Sequence, residues 1–327
     1  MTSSNKIEPV DWRPTASLAN LRLRAALLGK IRAFFALREV LEVETPALSH
    51  AGSTDRQLAS FRVADAAGDL YLHTSPEFAM KRLVAAGYGD VWQLCKVFRT
   101  GEAGRNHNPE FTLLEWYRVG FDHRRLMVEV AELLAELLPE CGAPPEYLTY
   151  REAFRSFAGI DPFTADIRAC RAMLQAAGLT LPAAAAVERD GWLDLVAGEL
   201  VYPRLGAAAR LTFLHDYPAD QAALARVRAG TPPVAERFEV FFHGRELANG
   251  YHELTDSVEQ ARRFAAERDY RRTNGLPDVP PDTRLVAALA EGLPDCAGVA
   301  LGFDRVVMLA AHAAGISEAI AFPFARA

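Results

Sequence analysis

The chain has 327 residues, half of them hydrophobic and about a quarter charged, with a formal net charge of -6 at pH 7. This composition is typical of a globular protein that buries a core without disulfides. The acidic balance disfavours a non-specific nucleic-acid binder, and the longest apolar stretches are far shorter than a membrane span.

The first half of the chain alternates between helical and strand-like patterns. Residues 1–16 are predicted to form an N-terminal arm, and they lack the apolar region of a signal peptide. From residue 17, apolar residues recur at spacings of three and four and predict a helix, which leads into an extended segment over 43–46. Further along, strands are predicted over 69–75, 91–99 and 111–119, and a helix over 123–138.

The second half begins with an alanine-rich stretch, residues 150–208, which we interpret as a helical insertion. Beyond it we predict strands over 211–214, over 237–243 and toward 251, a helix over 257–272, and a strand and turn over 298–304 before a final apolar helix. Strands clustered between helices predict an α+β fold, with an antiparallel β-sheet flanked by helices in one catalytic domain over 17–327.

The four cysteines show neither metal-ligand spacing nor a disulfide framework. They are Cys95, Cys141, Cys170 and Cys296. Unpaired thiols are typical of a reducing compartment, so we predict a cytoplasmic protein.

The loop over residues 98–111 combines Arg99 with the aromatic Phe111. A guanidinium at the end of one strand can bind a phosphate through two hydrogen bonds. The ring at the start of the next strand can stack on a nucleobase, with a second arginine over its other face. A solvated, arginine-rich loop is the alternative that this segment alone leaves open.

Two glutamates, Glu246 and Glu253, lie seven residues apart in a strand-like segment. On a straight strand they would face opposite ways, so they would converge only if the strand bulged at Asn249 and Gly250. Convergent carboxylates beside a phosphate site suit Mg²⁺. The alternative is one structural and one solvated glutamate.

The segment 298–305 alternates small and apolar residues and places Arg305 at the start of a helix. Gly302 would let the backbone approach a ligand closely. The helix dipole disfavours a cation at that end, and a bound phosphate would remove the conflict. A buried strand followed by a surface arginine is the alternative.

Together and in this order, these segments resemble motifs 2 and 3 of class II aminoacyl-tRNA synthetases, and residues 43–46 with the preceding helix resemble motif 1. The lysyl-tRNA synthetase core is the most similar, through HNPEF at 107–111, TLLEWY at 112–117 and ELANGYHE at 246–253. The resemblance spans residue 17 to the C-terminus and implies the class II catalytic fold.

The resemblance implies an ATP site with Mg²⁺. Arg99 would bind the α-phosphate and Arg305 the γ-phosphate side, as the catalytic residues, while Glu246 and Glu253 would hold the metal. The other implied ATP-binding residues are Thr100, Gly101, His107, Asn108, Phe111, Leu247 and Gly302. The family's motif 2 has Arg-x-Glu, but here the acid comes one position later, at Glu102, and receives no role.

The resemblance also implies a pocket for the amino acid. Its residues would be Ser75, Pro76, Glu77, Glu115, Tyr117, Asn249, Glu253 and Ala300. Three carboxylates favour a dication such as lysine. Ala300 replaces a glycine of the lysyl motif, and we expect its methyl group to disfavour α-lysine. The amino-acid carboxylate would attack the α-phosphorus and release pyrophosphate, without a protein nucleophile.

The molecule that accepts the activated amino acid is inferred from a missing anticodon-binding domain. Lysyl-tRNA synthetases carry an anticodon-binding domain before motif 1, for which residues 1–16 leave no room. A stand-alone core resembles the ligases that join (R)-β-lysine to a lysine of elongation factor P, which implies a protein acceptor rather than tRNA, and motif 1 implies a homodimer. A lysyl-tRNA synthetase-like enzyme without the anticodon domain and an inactive binding module remain alternatives, whereas a lysyl-phospholipid synthase is disfavoured without a membrane segment.

Overall fold

The computed structural model describes residues 11–66, 68–181 and 188–327. The predicted arm therefore lies largely outside the described residues, as do residues 182–187 of the predicted insertion. Among the described helices, none combines the length and apolarity needed to cross a bilayer.

Twelve strands are found in the described residues. They are β1 (Leu41–Glu42), β2 (Leu48–Ser49), β3 (Arg62–Asp65), β4 (Gly68–Leu72), β5 (Val91–Phe98), β6 (Glu110–Val119), β7 (Ala143–Thr149), β8 (Arg210–Pro218), β9 (Val227–Arg228), β10 (Val234–Phe242), β11 (Arg245–His252) and β12 (Cys296–Gly302). The large sheet has the order β1-β5-β6-β12-β11-β10-β8-β7, with β9 beside β10, and β2-β4-β3 form a small sheet. In the large sheet, β1 with β5 and β7 with β8 run parallel and the other neighbours antiparallel, as predicted for an α+β fold.

Nine α-helices flank these strands in the described chain. They are α1 (Leu18–Ala36), α2 (Glu77–Ala85), α3 (His123–Leu137), α4 (Tyr150–Phe157), α5 (Ile167–Ala176), α6 (Arg189–Val196), α7 (Ser257–Thr273), α8 (Thr283–Gly292) and α9 (Phe303–Ala310). Side-chain caps fix several starts: Ser17, Asp122 and Asp256 each accept a backbone N–H of the first turn.

One face of the large sheet is packed throughout, whereas α2, α7 and α8 cover only part of the other, which we call the open face. Apolar residues of α1, α3 and α9 form one core with alternate residues of the central strands, among them Leu114, Trp116 and Leu301. Phe35 of α1 stacks on Trp92 of β5 with ring centroids 4.9 Å apart. Because side chains alternate along a strand, the residues between these core positions face the opposite side of the sheet, where the cavity described below lies.

The predicted strands over 91–99 and 111–119 and the helices over 123–138 and 257–272 are confirmed within one or two residues. β7 was not predicted, because Pro144 and Pro145 argue against a strand, but a sheet edge tolerates proline. The described part of 150–208 contains α4, α5 and α6 around a separate core with Trp192. Its description as an insertion stays a prediction.

Candidate active site

A cavity of about 1460 Å³ lies over the open face of the sheet. Ligand pockets typically measure about 300–1,000 Å³, so this one has room for a nucleotide and an amino acid together. Thirteen of the predicted site residues line it: Ser75, Pro76, Glu77, Arg99, His107, Asn108, Phe111, Glu246, Leu247, Asn249, Ala300, Gly302 and Arg305. Five do not: Thr100, Gly101, Glu115, Tyr117 and Glu253.

Arginines and a histidine gather at one end of the cavity, which we call the arginine end. Arg305 of α9 donates from Nη1 to the Glu246 carbonyl at 2.7 Å, and its Nη2 lies 2.8 Å from Nε2 of His107. Burial and the Arg305 charge lower the pKa of His107, so the neutral ring can accept that hydrogen bond. The Arg99 guanidinium lies 5.0 Å from the centre of the Phe111 ring. These cations can meet the phosphates of a nucleotide.

The loop between β5 and β6 holds the other predicted nucleotide contacts. Glu102 lies 3.6 Å from Arg99, so the displaced acid of this loop pairs with the arginine. Asn108 donates to the Glu110 carbonyl at 2.6 Å and accepts from the Phe324 backbone N–H at 2.8 Å. The Asn108 amide is therefore occupied by the C-terminal segment, and its contact with ATP stays a prediction, as do those of Thr100 and Gly101.

Strand register places a row of side chains on the face of the sheet that carries the cavity. Glu115 of β6 pairs with Ala300 of β12, Ala300 with Asn249 of β11, and Asn249 with Glu239 of β10. Paired residues face the same side of a sheet and neighbouring strands lie about 4.8 Å apart. Ala300 is thus the apolar member of a polar row, directly between Glu115 and Asn249.

A buried lysine and three carboxylates form what we call the acidic floor: Glu77, Lys81, Glu115 and Glu253. Lys81 Nζ lies 2.6 Å from Glu77 Oε1 and 2.5 Å from Glu253 Oε2, and its side chain is only 2% exposed. Burial alone would lower the pKa of Lys81, but the two carboxylates overcome this and hold it well above its usual range. The cluster carries more negative than positive groups, so a cationic substrate would balance it.

Glu115 is the member of the acidic floor with hydroxyl partners. Its carboxylate accepts from the Ser75 hydroxyl at 2.6 Å and from the Tyr117 hydroxyl at 2.7 Å. Burial, with the nearby Glu77 charge, raises the pKa of Glu115 to about 7. Burial also raises the pKa of Glu253 to about 8, although Lys81 opposes the shift. Glu253 stays paired with Lys81, whereas Glu115 keeps part of its proton near neutral pH, and a bound cation would favour the loss of that proton.

Gly298 makes room for this arrangement. A β-carbon at that position would lie 2.3 Å from the Tyr117 ring and 2.6 Å from Glu253 Oε1. Since neither group has space to retreat inside the buried cluster, we conclude that glycine is required here for packing, rather than for backbone conformation.

The structure corrects the predicted metal site. The irregularity in β11 lies opposite Val240 and Phe241 rather than at Asn249 and Gly250, which pair regularly with β12. Seven residues of strand separate Glu246 from Glu253 by about 20 Å. Glu253 is ion-paired with Lys81 and fully buried, so the two glutamates cannot hold one ion.

Glu239 takes the place predicted for Glu253. Glu239 and Glu246 both line the cavity. Burial raises the pKa of Glu239, the Glu246 charge adds to this shift, and the Arg237 charge opposes it. Arg237 donates to Glu239 Oε1 at 2.5 Å. Two carboxylates that face one cavity beside cationic side chains fit the donor set that Mg²⁺ takes with phosphate oxygens.

Sequence reasoning missed Lys81 and Glu239. Lys81 follows Glu77 by four positions on α2, and it is one of four lysines in a chain whose other basic residues are all arginine. That contrast was a usable signal. Glu239 and Glu246 flank the turn between β10 and β11, but only the strand register shows that both face the cavity.

Comparison with known proteins gives a consistent result. Residues 3–326 match the model of the family described as tRNA synthetases class II (D, K and N). A Vibrio cholerae protein named elongation factor P--(R)-beta-lysine ligase is 50% identical over 323 residues, or 97% of this chain and 99% of that protein. Two proteins of the same name are each 49% identical to this chain. The one from Pseudoalteromonas translucida aligns over 97% of this chain and 98% of its own length, and the one from Erwinia tasmaniensis over 98% and 99%.

Proposed function

We propose, from the premise that this chain belongs to the class II tRNA synthetase family of the D, K and N type, that it is a ligase for elongation factor P. It activates (R)-β-lysine with ATP and transfers it to the ε-amine of a lysine of that factor. Relatives whose names state this function align with 97% of the chain and are 49–50% identical to it. The observation in the structure that supports it best is one cavity with the arginine end at one side and, at the other, Glu77, through which the cavity meets the buried acidic floor.

The residues support activation as follows. A carboxylate oxygen of the amino acid attacks the α-phosphorus in line, the bond to the β-phosphate breaks, and pyrophosphate leaves. Arg99 and Arg305 stabilise the charge on the phosphates, while the acidic floor binds the amines and orients the carboxylate. The acceptor amine then attacks the acyl carbon, loses a proton, and AMP leaves. No side chain forms a covalent intermediate.

Glu239 and Glu246 are the residues that would hold Mg²⁺. The ion would reduce the negative charge of the phosphate oxygens. We further propose a homodimer in the cytoplasm. The dimer is supported by exposed apolar residues near the edge strand β1, Leu37 and Leu41 among them, and the compartment by the proposed acceptor, a translation factor. Light scattering on the purified protein tests the dimer.

The decisive experiment offers ATP with radiolabelled (R)-β-lysine or L-α-lysine and follows the label. We expect label from (R)-β-lysine on elongation factor P and none on tRNA. Elongation factor P whose acceptor lysine is replaced by arginine is the control and should stay unlabelled. Label on tRNA alone would establish the tRNA-charging alternative, and pyrophosphate exchange that does not depend on an amino acid would favour a binding module.

A further inference from the structure

Two histidines and a glutamate meet behind the cavity, in a place that the proposed reaction does not use. His123 is the first residue of α3, Glu236 lies in β10, and His252 is the last residue of β11. All three are buried, and one ligand atom from each lies within 4.8 Å of the other two. None of the three lines the cavity.

His123 is the member that lacks a hydrogen-bond partner. Its side chain is 2% exposed, yet neither ring nitrogen has a hydrogen-bond partner in the described chain. The Asp216 carboxylate is 3.8 Å from Nε2, too far for a hydrogen bond, and its Oδ1 is also unpartnered. An unpaired buried polar group is costly, so a buried ring without a hydrogen bond, beside two potential ligands, indicates a missing partner.

The outer hydrogen bonds match those that surround metal ligands. His252 Nε2 lies 3.0 Å from Asp295, and Arg228 donates to Glu236 Oε1 at 2.9 Å. Metal-binding histidines usually donate their second N–H to a carboxylate, and metal-binding carboxylates are themselves hydrogen-bonded. The two inner atoms, His252 Nδ1 and Glu236 Oε2, lie 2.6 Å apart and face each other.

We propose that His123, Glu236 and His252 bind a divalent transition-metal ion of the Zn²⁺ type. Two imidazoles, one carboxylate and an open fourth position suit Zn²⁺ and related ions, whereas Mg²⁺ and Ca²⁺ prefer oxygen alone. The ion would replace the proton between His252 and Glu236, and this proton would go to solvent. It would join the first turn of α3 to the end of β11, one residue before Glu253.

The surrounding charges limit the affinity. Arg124 and Arg226 approach the outer carboxylates of Asp216 and Asp295. Arg228 approaches Asp216 and the proposed ligand Glu236, and His215 lies beside Asp216. The arginines oppose a second cation through Coulomb repulsion, while the outer carboxylates favour it. Protons compete with the ion for the histidine nitrogens, because a histidine binds a metal only in its neutral form.

The test is a Zn²⁺ titration of the chelator-treated full-length protein against a chromophoric chelator. We expect one equivalent bound, a Co²⁺ derivative with the visible spectrum of a four-coordinate site, and a rise in melting temperature with Zn²⁺. His123→Leu should weaken binding at least tenfold and abolish the rise. His312→Asn, at an exposed histidine, should match the parent protein in Zn²⁺ affinity.

Failure of the parent protein to bind one equivalent would overturn the proposal and leave His252 as a hydrogen-bonded bridge between Glu236 and Asp295. Equal Zn²⁺ affinity in His123→Leu would overturn it as well. If His123→Leu does not fold, Asp295→Asn serves instead: a loss of about tenfold supports the site, because outer partners tune metal affinity, and unchanged affinity contradicts it.

Discussion

The arginine end and the acidic floor hold their charged groups in different ways. At the arginine end, the side chains of Arg99 and Arg305 are about a quarter exposed and approach Glu102 and Glu246 only to 3.6 and 3.5 Å. On the acidic floor, Lys81 and Glu253 are almost fully buried and 2.5 Å apart. Long, partly hydrated arginines can rearrange around a nucleotide, whereas the floor is fixed before the amino acid arrives. Substitutions at the arginine end should therefore affect catalysis alone, and substitutions on the acidic floor should affect stability as well as catalysis.

Arg99→Ala tests the arginine end and has the largest expected effect. Removing a preorganised cation from the transferring phosphate costs about 10³-fold in rate. The unfolding free energy should change by less than about 1 kcal/mol, since a partly exposed ion pair contributes little. ATP–pyrophosphate exchange and denaturant unfolding measure the two quantities. Arg62→Ala, at an exposed arginine on β3, is the control and should retain full exchange. A rate within tenfold of the parent protein would mean that Arg99 does not contact the reacting phosphate.

Lys81→Met tests the acidic floor. Breaking a buried ion pair by removing one partner typically costs about 3–5 kcal/mol, here because Glu77 and Glu253 lose their shared counter-charge. Without Lys81, the pKa of Glu253 should rise further, so the folded state binds a proton that the unfolded state releases. Unfolding free energy should then fall as pH rises from 6 to 9. Denaturant melts across that range measure it.

The double variant Lys81→Met, Glu253→Gln is the matched control for this prediction. It removes both charges of the pair and should recover much of the lost stability. If the double variant is no more stable than Lys81→Met, the loss arises from packing rather than from an unpaired carboxylate.

The two regions can be distinguished by their carboxylates. Glu246 lies near the start of β11 and should bind Mg²⁺, whereas Glu253 follows the end of β11 and should bind the amino acid. Glu239→Gln and Glu246→Gln should raise the Mg²⁺ concentration for half-maximal exchange by about tenfold or more, as expected for weakened metal affinity. Glu253→Gln should leave that concentration unchanged and raise the KM for the amino acid. The reverse pattern would return Glu253 to the metal site and contradict the geometry described above.

Glu115 gives the acidic floor a pH dependence. Its pKa of about 7 lies above the ordinary value of 4.5, so between these values the folded protein keeps a proton that the unfolded chain has lost. Without substrate, this contribution to stability falls as pH rises through that window. A cationic amino acid favours the ionised carboxylate, so its KM should fall several-fold between pH 6 and pH 8. In Glu115→Gln the KM should be high at both pH values, and a pH dependence that persists there would assign the titration to another group.

How much of this was visible in the sequence differs between the two regions. Arg99, Phe111 and Arg305 lie in contiguous motifs, and the structure brings them to one cavity as expected. The acidic floor depends on contacts between α2, β6 and the end of β11, which local patterns do not encode. Lys81 and Glu239 were missed for that reason. Glu253 was grouped with Glu246 on the facing of the two side chains alone, although the rise of a strand already predicts a separation of about 20 Å.

Ala300→Gly is the finest test, because it changes one methyl group between the two regions. Ala300 lies between Glu115 and Asn249, so its methyl group limits where the α-amine of a bound lysine can sit. Steric discrimination by one carbon is worth about tenfold. We therefore expect the ratio of kcat/KM for (R)-β-lysine over L-α-lysine to fall by about that factor, with ATP affinity unchanged. Ala297→Gly, a buried position on the opposite face of β12, controls for loosening of the strand. If both variants keep the parent's preference, the methyl group has no part in selection, and the isomer must be chosen by the spacing of the carboxylates on the acidic floor.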